Sequence, residues 1–171
     1  MPKGLCQLEI LRGVLLVLLS FLASCQYFSK LDPMYVISLH ELSSKDRSFT
    51  QLAKTVWNPQ QTQQVNINTF PFLDAKRFYM AEMIPDQNSR NCGLRLYIDK
   101  HGRNTLLQTA SLKKGEAFAV LIDGFFIGMS HFPKQLDELS FLDIDPLWTV
   151  MEAEKIIDFT KKNYLQLNQL Y

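Results

Sequence analysis

Cysteine and histidine are scarce in this chain, with three residues of each in 171 positions. A zinc site normally shows in a sequence as a Cys/His cluster or a helical His-Glu-x-x-His motif, and neither pattern is present. A glycine-rich phosphate loop and a Gly-x-Ser-x-Gly nucleophile motif are absent as well. The sequence therefore predicts no metal, no cofactor and no compact catalytic cluster.

An excess of charge of one sign is also missing. The chain has 18 basic and 17 acidic side chains, whereas proteins that hold nucleic-acid phosphates carry a clear basic excess. We therefore expect no nucleic-acid partner. There is also no polybasic patch that would hold the chain on an anionic membrane.

One apolar run is present near the start of the chain, at residues 13–23, and it follows the basic residues Lys3 and Arg12. A transmembrane helix needs about 20 apolar residues, so this run is too short to span a bilayer. A basic start followed by about 7–15 apolar residues is the layout of a secretory signal peptide. The sequence therefore predicts export.

The apolar run ends in Leu22-Ala23-Ser24-Cys25, which resembles the lipobox of bacterial lipoproteins. The resemblance implies a lipoprotein signal peptide over residues 1–24, cleavage between Ser24 and Cys25, and acylation of the Cys25 sulfur. The partner that it implies is the membrane, bound through the acyl chains. An ordinary signal peptide stays open as an alternative, because cleavage after Cys25 would place small residues at Ala23 and Cys25.

Loss of residues 1–24 would change the composition of the mature chain. Two basic residues and Glu9 would leave, so that 16 basic and 16 acidic side chains remain and the net charge is 16 − 16 = 0. Cys6 would leave too, and if Cys25 carries lipid, Cys92 has no intrachain disulfide partner. The role of Cys92 is left open.

Residues 25–33 form a short tether in this interpretation. At about 3.3–3.6 Å per residue, the eight residues after Cys25 reach roughly 28 Å, so we expect the domain to lie close to the membrane. Gln26 follows Cys25, and under the sorting seen in enterobacteria-like lipoproteins the absence of Asp at this position favours the outer over the inner membrane. The expected location is the bacterial cell envelope, with the domain facing the periplasm and a protein partner there.

The remaining residues, 34–171, are expected to form a single α+β domain. Strand-forming residues favour strands at residues 34–41, 65–68, 77–84, 94–98, 117–122 and 125–131. Helices are expected from Asn104 to about Lys114 and from Thr149 onward. The expected architecture is a mixed, mostly antiparallel sheet packed on one side by two helices.

Loops and turns are expected between these elements. Residues 43–64 are interpreted as a turn, an uncertain short element and a loop, and residues 71–74 as a turn or a short helix. Residues 85–92, which end in Cys92, are interpreted as a polar loop. The sequence also predicts a solvated acidic loop that contains Asp137, Glu138, Asp143 and Asp145.

Three local motifs are more specific. Asp123-Gly124 is typical of a type I′ turn, in which both central residues have positive φ. Gly115 fits the left-handed position past the end of a helix. Thr149 and Glu152 form a capping box, at the start of a helix whose inner face is expected to carry Val150, Ala153, Ile157, Thr160, Tyr164 and Leu167.

Four segments follow one another along the chain: residues 73–81 (LDAKRFYMA), 93–102 (GLRLYIDKHG), 117–124 (AFAVLIDG) and 148–153 (WTVMEA). Their order resembles that in the head part of the first periplasmic domain of SecD, a protein-export factor. The chain resembles that family over residues 69–165. The resemblance implies a SecD periplasmic-head-like fold and a periplasmic setting.

The chain also departs from the SecD family. SecD has several transmembrane helices, whereas no apolar run of membrane length follows Cys25 here. The charged helix residues that couple SecD to the proton gradient therefore have no counterpart. Trp148 stands where the family has Phe, and a single Glu precedes Ala153. The resemblance does not imply export activity.

Candidates for catalysis are few. His40-Glu41 and Asp99-x-His101 are the close His/carboxylate pairs in the sequence. His40 is expected to be an exposed strand residue, His101 a turn residue, and His131 the end of a hairpin strand. Cys92 has no histidine close in sequence, which argues against a catalytic thiol.

Three functional hypotheses follow. The first is a non-enzymatic, lipid-anchored envelope protein that binds another protein or an unfolded chain. The second is a hydrolase or transferase with a dispersed site, which requires a pocket where His40, His101 or His131 lies within hydrogen-bond distance of a carboxylate. The third is a carrier of an apolar ligand, which requires an enclosed cavity lined by the aromatic residues of the second half, Phe125, Phe126, Phe132, Phe141 and Trp148.

Overall fold

The computed structural model describes residues 32–43, 52–87, 90–136 and 139–169. The residues predicted to form the signal peptide, the cleavage site and the lipid site, including Ser24 and Cys25, lie outside this part, as does the tether up to Leu31. Pro33–Tyr171 forms one compact unit of α+β structure, which confirms the predicted fold class. No helix in the described ranges is both long and apolar enough to cross a bilayer.

The described residues contain nine strands and two helices. The strands are β1 Ile37–Glu41, β2 Ala53–Trp57, β3 Gln64–Asn68, β4 Leu73–Asp74, β5 Phe78–Pro85, β6 Asn91–Ile98, β7 Ala117–Ile122, β8 Phe125–His131 and β9 Phe141–Thr149. The helices are α1 Lys100–Leu112 and α2 Val150–Asn168. The strand pairs are antiparallel, and they divide into three sheets, ordered β4-β1-β7-β8, β2-β3 and β5-β6-β9.

Strand β7 is an inner strand of the four-stranded sheet and is buried on both faces. Phe118 and Val120 belong to the main core, whereas Ala119 and Leu121 belong to a second core on the opposite face. A strand covered on both sides has to be apolar at successive positions. This arrangement confirms the buried strand predicted for residues 117–122.

The second core is closed by the hairpin of β2 and β3. Val56 and Ile67 of the hairpin pack with Ala119, Leu121 and Phe126. β3 confirms the strand predicted at residues 65–68. β2 lies within residues 43–64, where the sequence indicated only an uncertain short element. Val56 alone of its five residues is buried, so the apolar alternation that would indicate a strand is weak.

The main core lies between the sheets and the two helices. Leu94 and Leu96 of β6 are fully buried and share this core with Ala153 and Ile156 of α2. Helix α2 packs on the three-stranded sheet, mostly against β5. The period-two pattern of residues 94–98 is therefore a strand with one face under a helix, as predicted.

The capping box that opens α2 is present as predicted. The Thr149 hydroxyl accepts a hydrogen bond from the Glu152 amide, and the Glu152 carboxylate accepts one from the Thr149 amide at 2.9 Å. The buried face of the helix differs from the predicted one, because it consists of Ala153, Ile156, Thr160 and Asn163. Val150, predicted to face inward, is exposed.

Helix α1 begins earlier than predicted. Asp99, rather than Asn104, is the N-cap, and its carboxylate accepts a hydrogen bond from the Gly102 amide at 2.6 Å. His101 consequently lies in the first turn of the helix instead of in a turn before it. Past the helix end, Gly115 has φ +73°, which confirms the predicted left-handed position.

Two segments predicted to be turn or loop form strands. Leu73–Asp74 is the short strand β4, paired with β1, rather than a turn or short helix. β9 contains Asp143 and Asp145, so the predicted acidic loop is wrong at these two residues; Asp137 and Glu138 lie outside the described residues. The physical reason is pairing with β6, which buries the alternate residues Leu142 and Ile144 and leaves Asp143 and Asp145 exposed.

Cys92 lies in β6 and is buried, so its placement in a polar loop is wrong. Its Sγ donates a hydrogen bond to the main-chain oxygen of Trp148 at 3.3 Å. Burial raises the pKa of the Cys92 thiol. Because the thiolate is the reactive form of cysteine, this thiol is a structural group.

His40 is buried in β1, so the prediction of an exposed strand residue is wrong. Its Nδ1 lies 2.8 Å from the Asn68 carbonyl oxygen and therefore donates, while Nε2 lies 3.1 Å from the Ser38 hydroxyl and accepts. Both ring nitrogens of the neutral tautomer are satisfied. Burial lowers the pKa of His40.

The turn between β7 and β8 has φ +50° at Asp123 and +83° at Gly124, as a type I′ turn requires. The Asp123 carboxylate also accepts hydrogen bonds from the main-chain amides of Tyr35 at 3.2 Å and Val36 at 2.8 Å. The Asp123 amide donates to the Val36 carbonyl oxygen at 3.0 Å. One residue thus forms the turn and holds the segment that enters β1.

Replacing Gly124 by valine should lower the melting temperature. A Cβ at this position would meet no atom within 4 Å, so the destabilisation reports backbone strain, which we expect to be about 1–3 kcal/mol. Gly124→Asn is the matched control, since asparagine tolerates positive φ. Thermal unfolding followed by circular dichroism checks this, and equal melting temperatures for wild type and Gly124→Val would contradict the turn assignment.

Acid should destabilise the domain through His40. The pKa of His40 is lowered in the folded state from the ordinary histidine pKa of 6.5, so the neutral ring contributes its full stabilisation above pH 6.5. This contribution is lost as the pH falls through the lowered pKa of the folded state. Urea unfolding above and below pH 6.5 measures the effect. His40→Gln should flatten the pH dependence, whereas exposed His131→Gln should keep it; unchanged dependence in His40→Gln would contradict the assignment.

Candidate interaction surface

The three-stranded sheet has one face in the core with α2 and an opposite face that is exposed or half-buried. The second face, which we call the outer face, carries Met80, Glu82, Arg95, Tyr97, Phe141 and Asp143. The strand register places Tyr97 between Met80 and Phe141, and Arg95 between Glu82 and Asp143. The outer face is therefore two cross-strand rows, one mostly aromatic and one charged.

Arg95 is fixed by its neighbours on β9. Its Nε donates to Asp143 Oδ1 at 2.7 Å and its Nη2 donates to Oδ2 at 2.8 Å, a bidentate geometry that orients the guanidinium plane. The guanidinium carbon also lies 4.1 Å from the centroid of the Phe141 ring. The hydrogen bonds to Asp143 raise the pKa of Arg95.

Tyr97 is fixed by its neighbours on β5 and β9. Its hydroxyl donates to Glu82 Oε2 at 2.8 Å, and this hydrogen bond raises the pKa of Tyr97. Its ring centroid lies 6.1 Å from that of Phe141 and also 6.1 Å from that of Tyr79. Aromatic pairs at this separation favour the tilted and edge-to-face geometries seen here.

A cleft borders the outer face along β9. It has a volume of about 440 Å³ and is lined by His131, Pro133, Gln135, Leu139, Phe141, Leu142 and Asp143. Phe141 and Asp143 belong to both the cleft and the outer face. Apolar, aromatic and charged groups thus share one continuous surface, a mixture typical of protein-binding hot spots.

His131 of the cleft contacts a carboxylate, as the hydrolase hypothesis required, although that carboxylate, Asp145, is not among the residues that line the cleft. His131 Nδ1 lies 3.0 Å from Asp145 Oδ2, and the two side chains are 62% and 49% exposed. The neighbouring Ser130 is buried, and its hydroxyl accepts a hydrogen bond from the Asp145 amide at 3.1 Å. Successive side chains on a strand point to opposite faces, so Ser130 is not presented to His131 as a nucleophile.

The other histidines do not join this pair. His101 is exposed in the first turn of α1, and His40 is buried in β1. Within residues 32–43, 52–87, 90–136 and 139–169, no group of three or more His, Cys, Asp or Glu side chains could hold a metal ion.

The aromatic residues considered for an apolar-ligand cavity divide between core and surface. Phe126, Phe132 and Trp148 are buried, and the Phe132 ring packs on Phe72 and Phe118 with centroids 5.0 and 4.9 Å apart. Phe125 is half exposed and Phe141 lies on the outer face. These rings pack together or face solvent, so they do not line one enclosed cavity.

The residues that the sequence singled out have structural roles in the described domain. Asp123 and Gly124 form the β7–β8 turn, and Thr149 and Glu152 cap α2. The outer face was missed, since its cross-strand pairs depend on β9, which the sequence did not indicate as a strand. The one available signal was the placement of Arg95 and Tyr97 at the polar positions of β6.

Neither a protein-family model nor a curated protein sequence matches the chain. Solved structures of SecDF share its fold. One, of SecDF described as a membrane component that enhances protein export, is 13% identical with a TM-score of 0.53 and covers 75% of this chain and 63% of that chain. Another, the crystal structure of SecDF in a super-membrane-facing form, is 14% identical with a TM-score of 0.53 and covers 75% of this chain and 19% of that chain.

These comparisons confirm a SecD-like fold, as the order of the four sequence segments implied. At this level of identity the likeness concerns the fold alone, and one fold supports many functions. The chain spans less than two thirds of the SecDF chains that it matches.

Proposed function

We propose that this chain is a lipid-anchored protein of the bacterial cell envelope whose domain faces the periplasm and binds another protein or an unfolded polypeptide. The lipobox-like residues Leu22 to Cys25 support the anchor, and Gln26 supports the outer rather than the inner membrane. The SecD-like fold supports a role related to the envelope or to export, since SecDF is described as enhancing protein export.

The outer face is the observation that carries the binding proposal. Arg95 and Tyr97 are held in place by hydrogen bonds to side chains on adjacent strands, so little rotamer entropy is lost when a partner is bound. Aromatic and arginine side chains are enriched among the few residues that supply most of the binding energy of protein interfaces. The adjoining cleft along β9 offers room for a side chain of the bound polypeptide.

We propose that the domain acts by binding, without catalysis and without a cofactor. The 3.0 Å contact of His131 with Asp145 is the one observation that favours the hydrolase alternative. Against it stand the exposure of both groups and the inward direction of Ser130, because general-base catalysis needs a positioned nucleophile or substrate proton. The carrier alternative loses support because Phe126 and Phe132 pack in the core whereas Phe125 and Phe141 lie at the surface, so these rings do not enclose one cavity.

Replacing Tyr97 or Phe141 by alanine should weaken capture of an unfolded polypeptide. The probe is one small disulfide-bonded protein, labelled with a fluorophore and used in its native and its reduced, alkylated form. We expect tighter binding of the unfolded form, and a loss of about 2 kcal/mol or more for a hot-spot truncation. Fluorescence anisotropy titrations measure both dissociation constants.

Two controls accompany this measurement. Leu112→Ala removes an apolar side chain that is 84% exposed on α1 and should leave the affinity unchanged. His101→Gln removes an exposed imidazole that belongs neither to the outer face nor to the cleft, and it should also leave the affinity unchanged. Wild-type affinity in the Tyr97 and Phe141 variants would contradict the binding surface. A His131→Gln variant that folds and captures the probe normally but loses an envelope phenotype would favour the enzyme.

The anchor predicts a specific effect of Cys25→Ser. This substitution removes the sulfur that would be acylated, so the variant should incorporate no labelled palmitate and should keep its signal peptide uncleaved by the lipoprotein-specific peptidase. Metabolic labelling and the mass of the protein in envelope fractions check the two outcomes. Normal palmitate incorporation by Cys25→Ser would show that the lipid site is elsewhere.

A further inference from the structure

The segment at which the chain enters the domain is held in place on several sides. The Tyr35 and Val36 amides donate to Asp123, Asn163 Nδ2 donates to the Met34 carbonyl oxygen at 2.8 Å, and the Tyr35 ring lies 5.4 Å from that of Phe159. We call residues 33–36 the root. The root therefore lies beside the Asp123-Gly124 turn.

Two exposed aromatic residues lie at the same turn. Gly124, Phe125 and Trp57 line one cleft of about 460 Å³, together with Thr55, Val56 and Gln61. Trp57 is 45% and Phe125 is 50% exposed. We call this surface the aromatic end. Its lining residues include no charged side chain, so it is an apolar surface with a few polar groups.

We propose that the aromatic end contacts the headgroup region of the membrane that carries the anchor. The inference rests on the proposed anchor and adds an orientation to it. Seven residues, 26–32, lie between Cys25 and the root. The eight Cα–Cα steps from Cys25 to Pro33 reach at most roughly 28 Å, which keeps the root near the bilayer. Tryptophan and other amphipathic aromatic rings favour the membrane–water interface.

The chemistry of the aromatic end fits a lipid interface in a second respect. The chain without residues 1–24 has a net charge of zero, with 16 basic and 16 acidic side chains, so electrostatic attraction to lipid headgroups is weak. Contact then depends on the tether and on the insertion of apolar surface. It follows that the contact is insensitive to salt.

The two tryptophans of the chain, Trp57 and Trp148, provide a direct test, because Trp148 is buried in the core. The lipidated full chain is reconstituted into phosphatidylcholine vesicles with either ordinary or dibrominated acyl chains, which quench nearby tryptophans. We expect Trp57 to lose most of its emission in brominated vesicles at low and at high salt. Trp57→Phe, which leaves only Trp148, should show no quenching.

Phe125→Asp, which places a charge in the aromatic end, should abolish the quenching of Trp57. Leu112→Asp, which adds the same charge at an exposed apolar position of α1, is the matched control and should keep it. Vesicle flotation is measured in parallel. If the protein floats but Trp57 is not quenched, the orientation is contradicted and the anchor is not. If the protein does not float, both the anchor and the orientation are contradicted. Quenching that is lost at high salt would contradict an apolar contact.

Discussion

The burial of β7 on both faces is the constraint on which the rest of the domain depends. Phe118, Val120 and Ile122 need the main core on one side, and Ala119 and Leu121 need a cover on the other. The helices and the three-stranded sheet complete the main core, and the small β2–β3 hairpin covers the opposite face of β7. Without that hairpin the second core would be open to water, at a loss of about 25 cal/mol per Å² of apolar surface exposed.

The turn at the end of β7 connects this core to the root, residues 33–36. Asp123 adopts the backbone conformation that the hairpin requires, and its carboxylate accepts hydrogen bonds from two main-chain amides of the root. Asn163 of α2 holds the root from another side. These contacts hold residues 33–36 in place next to the turn, so that the root lies beside the aromatic end with Trp57 and Phe125.

The outer face and the aromatic end are two different surfaces with different chemistry. The outer face combines charge pairs with aromatic rings on rigid strands, which suits a polypeptide partner. The aromatic end has no charged lining residue and adjoins the root, which suits a lipid interface. The SecD-like fold thus carries two surfaces of different chemistry, and we propose the outer face for a polypeptide partner and the aromatic end for the membrane.

The sequence by itself determined the α+β class, β7 and its type I′ turn, and the capping box of α2, because each is set by residues close together in the chain. Only the tertiary structure decided β9 and the burial of His40 and Cys92. The Asp99 cap of α1 is as local as the capping box, since Asp99 accepts a hydrogen bond from Gly102 three residues on, and the sequence pattern pointed to Asn104 instead. β9 exposes Asp143 and Asp145 and becomes a strand through pairing with β6. His40 is polar yet buried because the distant Asn68 carbonyl oxygen accepts a hydrogen bond from its Nδ1. The outer face likewise arises from pairs such as Arg95 with Asp143, 48 positions apart, whose contact depends on strand register and is invisible to local periodicity.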